Sequence, residues 1–136
     1  MKTLLSILLL LSGTCAIAQD APYKVVFDLT SKDPATHQAV VRQAKSILDM
    51  RPDAQLEVAI YSEAIPFVCK EKSTLKPELE ALLKTGRISF KVCGETMKRK
   101  QVKPSDLIDG VSVVPDAIYE IISRQKEGWG YIKVAQ

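Results

Sequence analysis

The sequence predicts an α/β fold, a three-layer open parallel sheet of about five strands with helices on both faces. Three observations carry this reading. Short stretches rich in β-branched and aromatic residues alternate with stretches of helical periodicity. Each helical stretch is long enough to return the chain to the same end of the sheet, so the strands run parallel. The strands are short and apolar, as in VSVV at 111–114, which suits a sheet covered on both sides.

The first strand is YKVVFDL, residues 23–29. Asp33 and Pro34 then open a helix, Asp33 as N-cap and Pro34 at the first helical position. Val40, Val41, Ala44, Ile47 and Leu48 recur at helical spacing, and Arg51-Pro52 ends the run. QLEVAIY, 55–61, is the second strand. Residues 62–73 read as a long irregular connection carrying Pro66 and Cys69. The next helix sets Leu75, Leu79, Leu82 and Leu83 on one face and stops at Gly86. RISFKV, 87–92, is the third strand and runs straight into Cys93-Gly94. A short helix is predicted over 95–101 and one further turn over 105–109. VSVV, 111–114, closed by Pro115, is the fourth strand. Asp116 caps a last helix whose Ile118, Ile121, Ile122 and Gln125 share a face, and Gly128 ends it. WGYIKV, 129–134, is the fifth strand.

The 136 residues are 46% hydrophobic and 26% charged, ordinary globular values. Residues 1–18 read as a removable signal peptide: Lys2, an apolar run from Leu4 to Leu11, and an A-x-A site at Ala16 to Ala18. That run is too short for a bilayer core of roughly 30 Å, so a membrane anchor is the weaker reading. A lipoprotein centred on Cys15 is also weaker, because Thr14 is bulkier than the small residue expected there. Export is expected, to the periplasm if the source is Gram-negative, with no stable membrane insertion after cleavage. Residues 19–136 then form one domain. The net charge of +3 falls to +2 without Lys2, and only 6% of residues are aromatic, so no nucleic-acid partner is expected. Two cysteines remain beyond the leader, Cys69 and Cys93, too few for a disulfide scaffold. With a single histidine beside them, neither a self-contained metal site nor a cofactor is expected.

In an open parallel sheet, reactive groups gather beyond the carboxyl ends of the strands. Both cysteines lie there, on consecutive connections. Cys93 sits where a strand hands over to a helix, whose free N–H groups favour a thiolate. Lys98, Arg99 and Lys100 follow and would add positive potential, unless they form a solvated face. The alternative for Cys93 is a small apolar residue in a tight strand end. Cys69 is either a second, resolving or sulfur-carrying thiol, an inert loop cysteine, or the disulfide partner of Cys93. His37, early in the first helix, is a candidate base for a thiol or else a helix-face residue. No phosphate-binding loop, dinucleotide turn, nucleophile elbow or C-x-x-C pair occurs, so nucleotide and thioredoxin-type chemistry lose support.

The stretch VCGETM, 92–97, followed by DLIDGVSVVPDAIYEIISRQKEGWGYIKV, 106–134, resembles the DsrE/DsrF-like sulfur-relay family. The matching positions are Cys93, Gly94, Thr96, Gly110, Val111, Val113, Val114, Pro115, Gln125, Gly128, Tyr131, Ile132 and Lys133. The resemblance implies a DsrE-like five-stranded sheet in homo-oligomers, trimers or hexamers. It also implies that Cys93 carries sulfur as a persulfide, with the amides of Gly94 and Thr96 holding the anion. A sulfur donor or acceptor protein would be the partner, and a sulfurtransferase-like activity is left open. Two further readings stand beside this one. The first is a non-catalytic oligomeric binding module with inert or disulfide-bonded cysteines. The other is a metal or redox sensor, which would need both thiols reduced and close together.

Overall fold

Five short strands rich in Val, Ile and Phe, joined through helices, assemble into one parallel sheet. The computed structural model describes residues 21–134; the predicted signal peptide, 1–18, lies outside the described residues. In chain order the regular elements are β1 (Lys24–Leu29), α1 (Pro34–Met50), β2 (Gln55–Ile60), α2 (Lys76–Lys84) and β3 (Ile88–Cys93). Then follow α3 (Gly94–Lys100), β4 (Ser112–Val114), α4 (Ala117–Lys126) and β5 (Gly130–Lys133). The sheet order is β4-β3-β2-β1-β5.

That order decides which face each helix covers. The chain steps from β1 to β2, β3 and β4 in one direction, then returns across the whole sheet to β5. Crossovers between parallel strands are right-handed. The three forward crossovers therefore put α1, α2 and α3 on one face, and the return puts α4, alone among the described helices, on the other. The two cores agree. One cluster joins Phe27, Val58 and Phe90 to Val40, Leu48, Leu79, Leu82 and Met97. The second is small: Val26, Ala59 and Cys93 with Ala117 and Ile121 of α4. Side chains alternate across a strand. The α4 face accordingly receives Asp28 from β1, Glu57 from β2, and Lys91 and Cys93 from β3. Asp28 and Glu57 are both buried.

Local signals explain most boundaries. Asp33 caps α1, its carboxylate accepting from the Ala35 amide at 3.0 Å, with Pro34 in the first turn. Asp116 caps α4 in the same way through the Tyr119 amide at 2.8 Å. Gly86 and Gly128 take positive φ just beyond α2 and α4, the backbone conformation that favours glycine. Two readings are corrected. The connection after β2 contains a 3-10 helix, Ser62–Val68, held by burial of Ala64, Ile65, Phe67 and Val68. And α4 buries Ala117 and Ile121, leaving Ile118 57% and Ile122 47% exposed, because one helix of ten residues meets the sheet along a narrow stripe.

Candidate functional site

The connection leaving β3 enters α3 on one face, and the connection leaving β4 enters α4 on the other. Ligand crevices form where neighbouring connections diverge in this way. Cys93 is the last residue of β3, paired in register with Val114, the last of β4. It is also the N-cap of α3, so strand passes to helix with no intervening loop.

Its sulfur lies among the first amides of two helices. Burial is the strongest single influence and pushes the Cys93 thiol up. Four donors together outweigh it: the Thr96 hydroxyl and the N–H groups of Ala117, Thr96 and Glu95, which set the thiol below the ordinary cysteine range. Glu95 and Thr96 open α3, and Ala117 opens α4. The residue is 4% exposed, so the anion is stabilised by fixed protein dipoles more than by water. Cys69 and Cys93 are both free thiols.

Thr96 is itself held in place. It is buried, and its Oγ1 accepts from Arg99 Nη2 at 3.1 Å and from the Ser62 amide at 3.4 Å. Both donors bias the hydroxyl to point its own hydrogen at the sulfur. Ser62 reaches this position with φ +56°, a left-handed conformation in a residue other than glycine. Gly94 serves by lacking a side chain: a Cβ there would stand 3.2 Å from the Val114 carbonyl oxygen and 3.5 Å from Val113 Cγ1. Its role is the close approach of α3 to β4. Lys98 pairs with Glu95 and Lys100 with Glu63, each at 2.7 Å, so of the basic run only Arg99 joins the site.

The sequence reading missed the neighbour on the other side. The register Ile60 with Val92 carries Tyr61, just past β2, alongside Cys93 on the α4 face, and Tyr61 packs against that cluster. Burial and the Asp28 carboxylate, its hydrogen-bond acceptor, push the Tyr61 hydroxyl far up, so it stays protonated. Asp28 also accepts from the Tyr131 hydroxyl at 2.6 Å and Lys133 Nζ at 3.1 Å. Tyr131 is pushed up to about 12, first by its hydrogen bond to Asp28 and then by burial. Lys133 continues to Thr30 Oγ1 at 2.9 Å. A polar chain thus runs from beside the thiol to the exposed end of β5. The signal available in the sequence was a tyrosine directly past a strand's carboxyl end. Ala117 gave none, because it acts through its backbone amide.

Of the predicted site residues, Cys93, Gly94 and Thr96 come together; His37 and Cys69 do not join them. His37 lies on the other face of the sheet, its ring 4.8 Å from Phe67 and its Nε2 2.8 Å from the Ser31 carbonyl oxygen. Burial pulls its pKa down. Cys69 belongs to the large core, its thiol donating to the Ile65 carbonyl at 3.3 Å and pushed up by burial. It borders two cavities of about 360 and 290 Å³ that share Lys72, Lys100 and Val102. Among the described residues, no group of three His, Cys, Asp or Glu side chains could hold a metal ion. No helix among them is long and apolar enough to cross a membrane.

A strand ending in Cys-Gly-x-Thr at the divergence of two helices is a feature that homologous chains can be compared on. The model of the DsrE/DsrF-like family matches residues 24–134. The chain belongs to the DsrE/DsrF-like family. Solved structures agree on the DsrE-like fold. A protein of unknown function from Methanobacterium thermoautotrophicum is 25% identical, with a TM-score of 0.78 over 82% of this chain and 98% of that one. The ychN protein of E. coli is 14% identical, with a TM-score of 0.69 over 83% of this chain and 99% of that one. A conserved protein of unknown function from Bacteroides thetaiotaomicron is 14% identical, with a TM-score of 0.68 over 82% of this chain and 94% of that one. Among curated proteins none matches.

Proposed function

We propose that this DsrE/DsrF-like protein is an exported sulfur carrier that holds sulfane sulfur on Cys93 as a persulfide. The observation that carries the reading is the convergence of the α3 and α4 amides and the Thr96 hydroxyl on the Cys93 sulfur. Such a nest lowers the cost of an anionic sulfur and serves a thiolate and a persulfide alike. In the loading step the Cys93 thiolate attacks the outer sulfur of a donor R–S–SH. A new S–S bond forms at Cys93, the donor's S–S bond breaks, and its electron pair leaves on R–S⁻. Delivery to an acceptor thiolate is the same exchange in reverse, with Cys93 as leaving group.

The test is intact mass of the protein before and after a polysulfide donor, compared with Cys93→Ser. A gain of about 32 mass units in the wild type that is absent in Cys93→Ser is the expected result. An unchanged mass with a free Cys93 would sink the carrier reading.

A second reading, a non-catalytic oligomeric binding module, is favoured by one observation: Ile118, Tyr119 and Ile122 of α4 and Tyr131 of β5 are exposed. Exposed apolar side chains in this number suit a contact between copies of the chain. Sedimentation of wild type and Ile118→Glu/Ile122→Glu tests it; an unchanged, monomeric wild type would remove the oligomer from both readings.

A further inference from the structure

The α4 face of the sheet carries a second unusual group: a buried carboxyl with too few donors. Glu57, in β2, is 1% exposed. Its Oε2 accepts from Arg124 Nε at 3.0 Å, while its Oε1 has no hydrogen-bond donor among the described residues. The Arg124 guanidinium is shared three ways, with Nη2 at 3.0 Å from Glu120 and Nη1 at 3.0 Å from Glu127. It also stacks 5.0 Å from the Trp129 ring. One cation cannot neutralise three carboxylates; Glu57 is buried and Glu120 is half-buried beside it.

The surrounding charges do not supply the deficit. From β3, Lys91 acts on Glu57 from a distance, its Nζ at 3.4 Å from Ser112 Oγ. From β1, Lys24 lies over the Trp129 ring, and Asp28 is occupied by Tyr131 and Lys133 of β5. A proton on Glu57 would complete the group, making it a donor to the Glu120 carboxylate. Burial, and then the Glu120 carboxylate against the opposing pull of Arg124, raise Glu57 to about 7.

We propose that Glu57, Glu120 and Arg124 are positioning residues for Cys93, a clamp on α4 that one shared proton holds shut. Buried apolar contact between α4 and the sheet is slight, Ala117 and Ile121 only. The clamp grips the helix one turn and two turns beyond Ala117, whose amide supports the sulfur. Losing the proton leaves a buried and a half-buried carboxylate side by side, and their repulsion loosens α4. Cys93 then loses the Ala117 donor, and its thiolate becomes harder to form. The site is thus set to hold sulfur below neutral pH and to weaken above it. The proposal rests on Cys93 being the working thiol, but its test does not require sulfur transfer.

The test is the pH dependence of Cys93 alkylation by a small neutral reagent, read by peptide mass in the full chain. Glu57→Gln keeps the clamp shut at every pH, since an amide donates to Glu120 as the shared proton does. The midpoint in Glu57→Gln is expected about one pH unit below that of the wild type, the tenfold worth of one charge-assisted hydrogen bond. Glu127→Gln, on the exposed arm of Arg124, is expected to follow the wild type. Equal midpoints for wild type and Glu57→Gln would overturn the clamp. If Glu57→Gln does not fold, Glu120→Gln asks the same question with the same two answers. A midpoint shift in a protein that takes up no sulfur would leave the clamp standing and remove the carrier reading alone.

Discussion

Replacing Glu57 by Gln deletes a proton-binding site that the folded chain has near neutrality and the unfolded chain has far lower. The folded group titrates at about 7 against an ordinary 4.5. In that window the folded state holds a proton that the unfolded state has released, so stability falls as pH rises. It is fully present below the unfolded value, and the loss is complete above the folded one. The difference of about 2.5 units corresponds to about 3 kcal/mol in all, and about 2 kcal/mol between about pH 5 and pH 7.5. Urea unfolding at those two pH values measures it. The wild type is expected to lose about 2 kcal/mol more than Glu57→Gln, a midpoint change on the order of 1 M urea. His37 acts oppositely in the lower half of this range, but it is present in both proteins and cancels in the comparison. Identical pH dependence in the two would mean that Glu57 is ionised in the fold, and the charge-deficit argument would be wrong.

Three further outcomes are expected. Thr96→Val removes the hydroxyl on Cys93 and should slow its alkylation near neutral pH about tenfold, the worth of about 1.4 kcal/mol; an unchanged rate would place the nest's strength in the amides alone. Gly94→Ala puts a Cβ 3.2 Å from the Val114 carbonyl and should cost about 1–3 kcal/mol, visible as a lower melting temperature. A melting temperature equal to wild type would show that α3 can move off β4 freely. His37 is neutral and buried, with its pKa pulled down by burial. Protonation is therefore easier in the unfolded chain, and stability should fall as pH drops below the ordinary value of 6.5. His37→Gln should flatten that acid limb in a urea series, at the expense of the Phe67 contact.

Local chemistry determined much of this protein on its own. The order of strands and helices, the Asp33 and Asp116 caps, the glycine stops and the parallel pairing were all legible, because each depends on a few adjacent residues or on connection length. Cys93 at a strand-to-helix junction was legible for the same reason, and so was the family resemblance carried by VCGETM and the last third of the chain. What only the tertiary structure decided is which way the chain steps between strands. The order β4-β3-β2-β1-β5 makes β3 and β4 the point where connections diverge. That brings the amide of Ala117 to a sulfur twenty-four residues earlier, and an amide leaves no mark in a side-chain pattern. The same order sends His37 and Cys69 to the opposite face, although both lie near the same end of the sheet. Among the described helices it also leaves α4 alone over Asp28, Glu57 and Lys91, so Ile118 and Ile122 stay exposed despite helical spacing that reads as a core face. Burial is a property of what stands opposite a residue, and strand order, set by contacts distant in the chain, decides what that is.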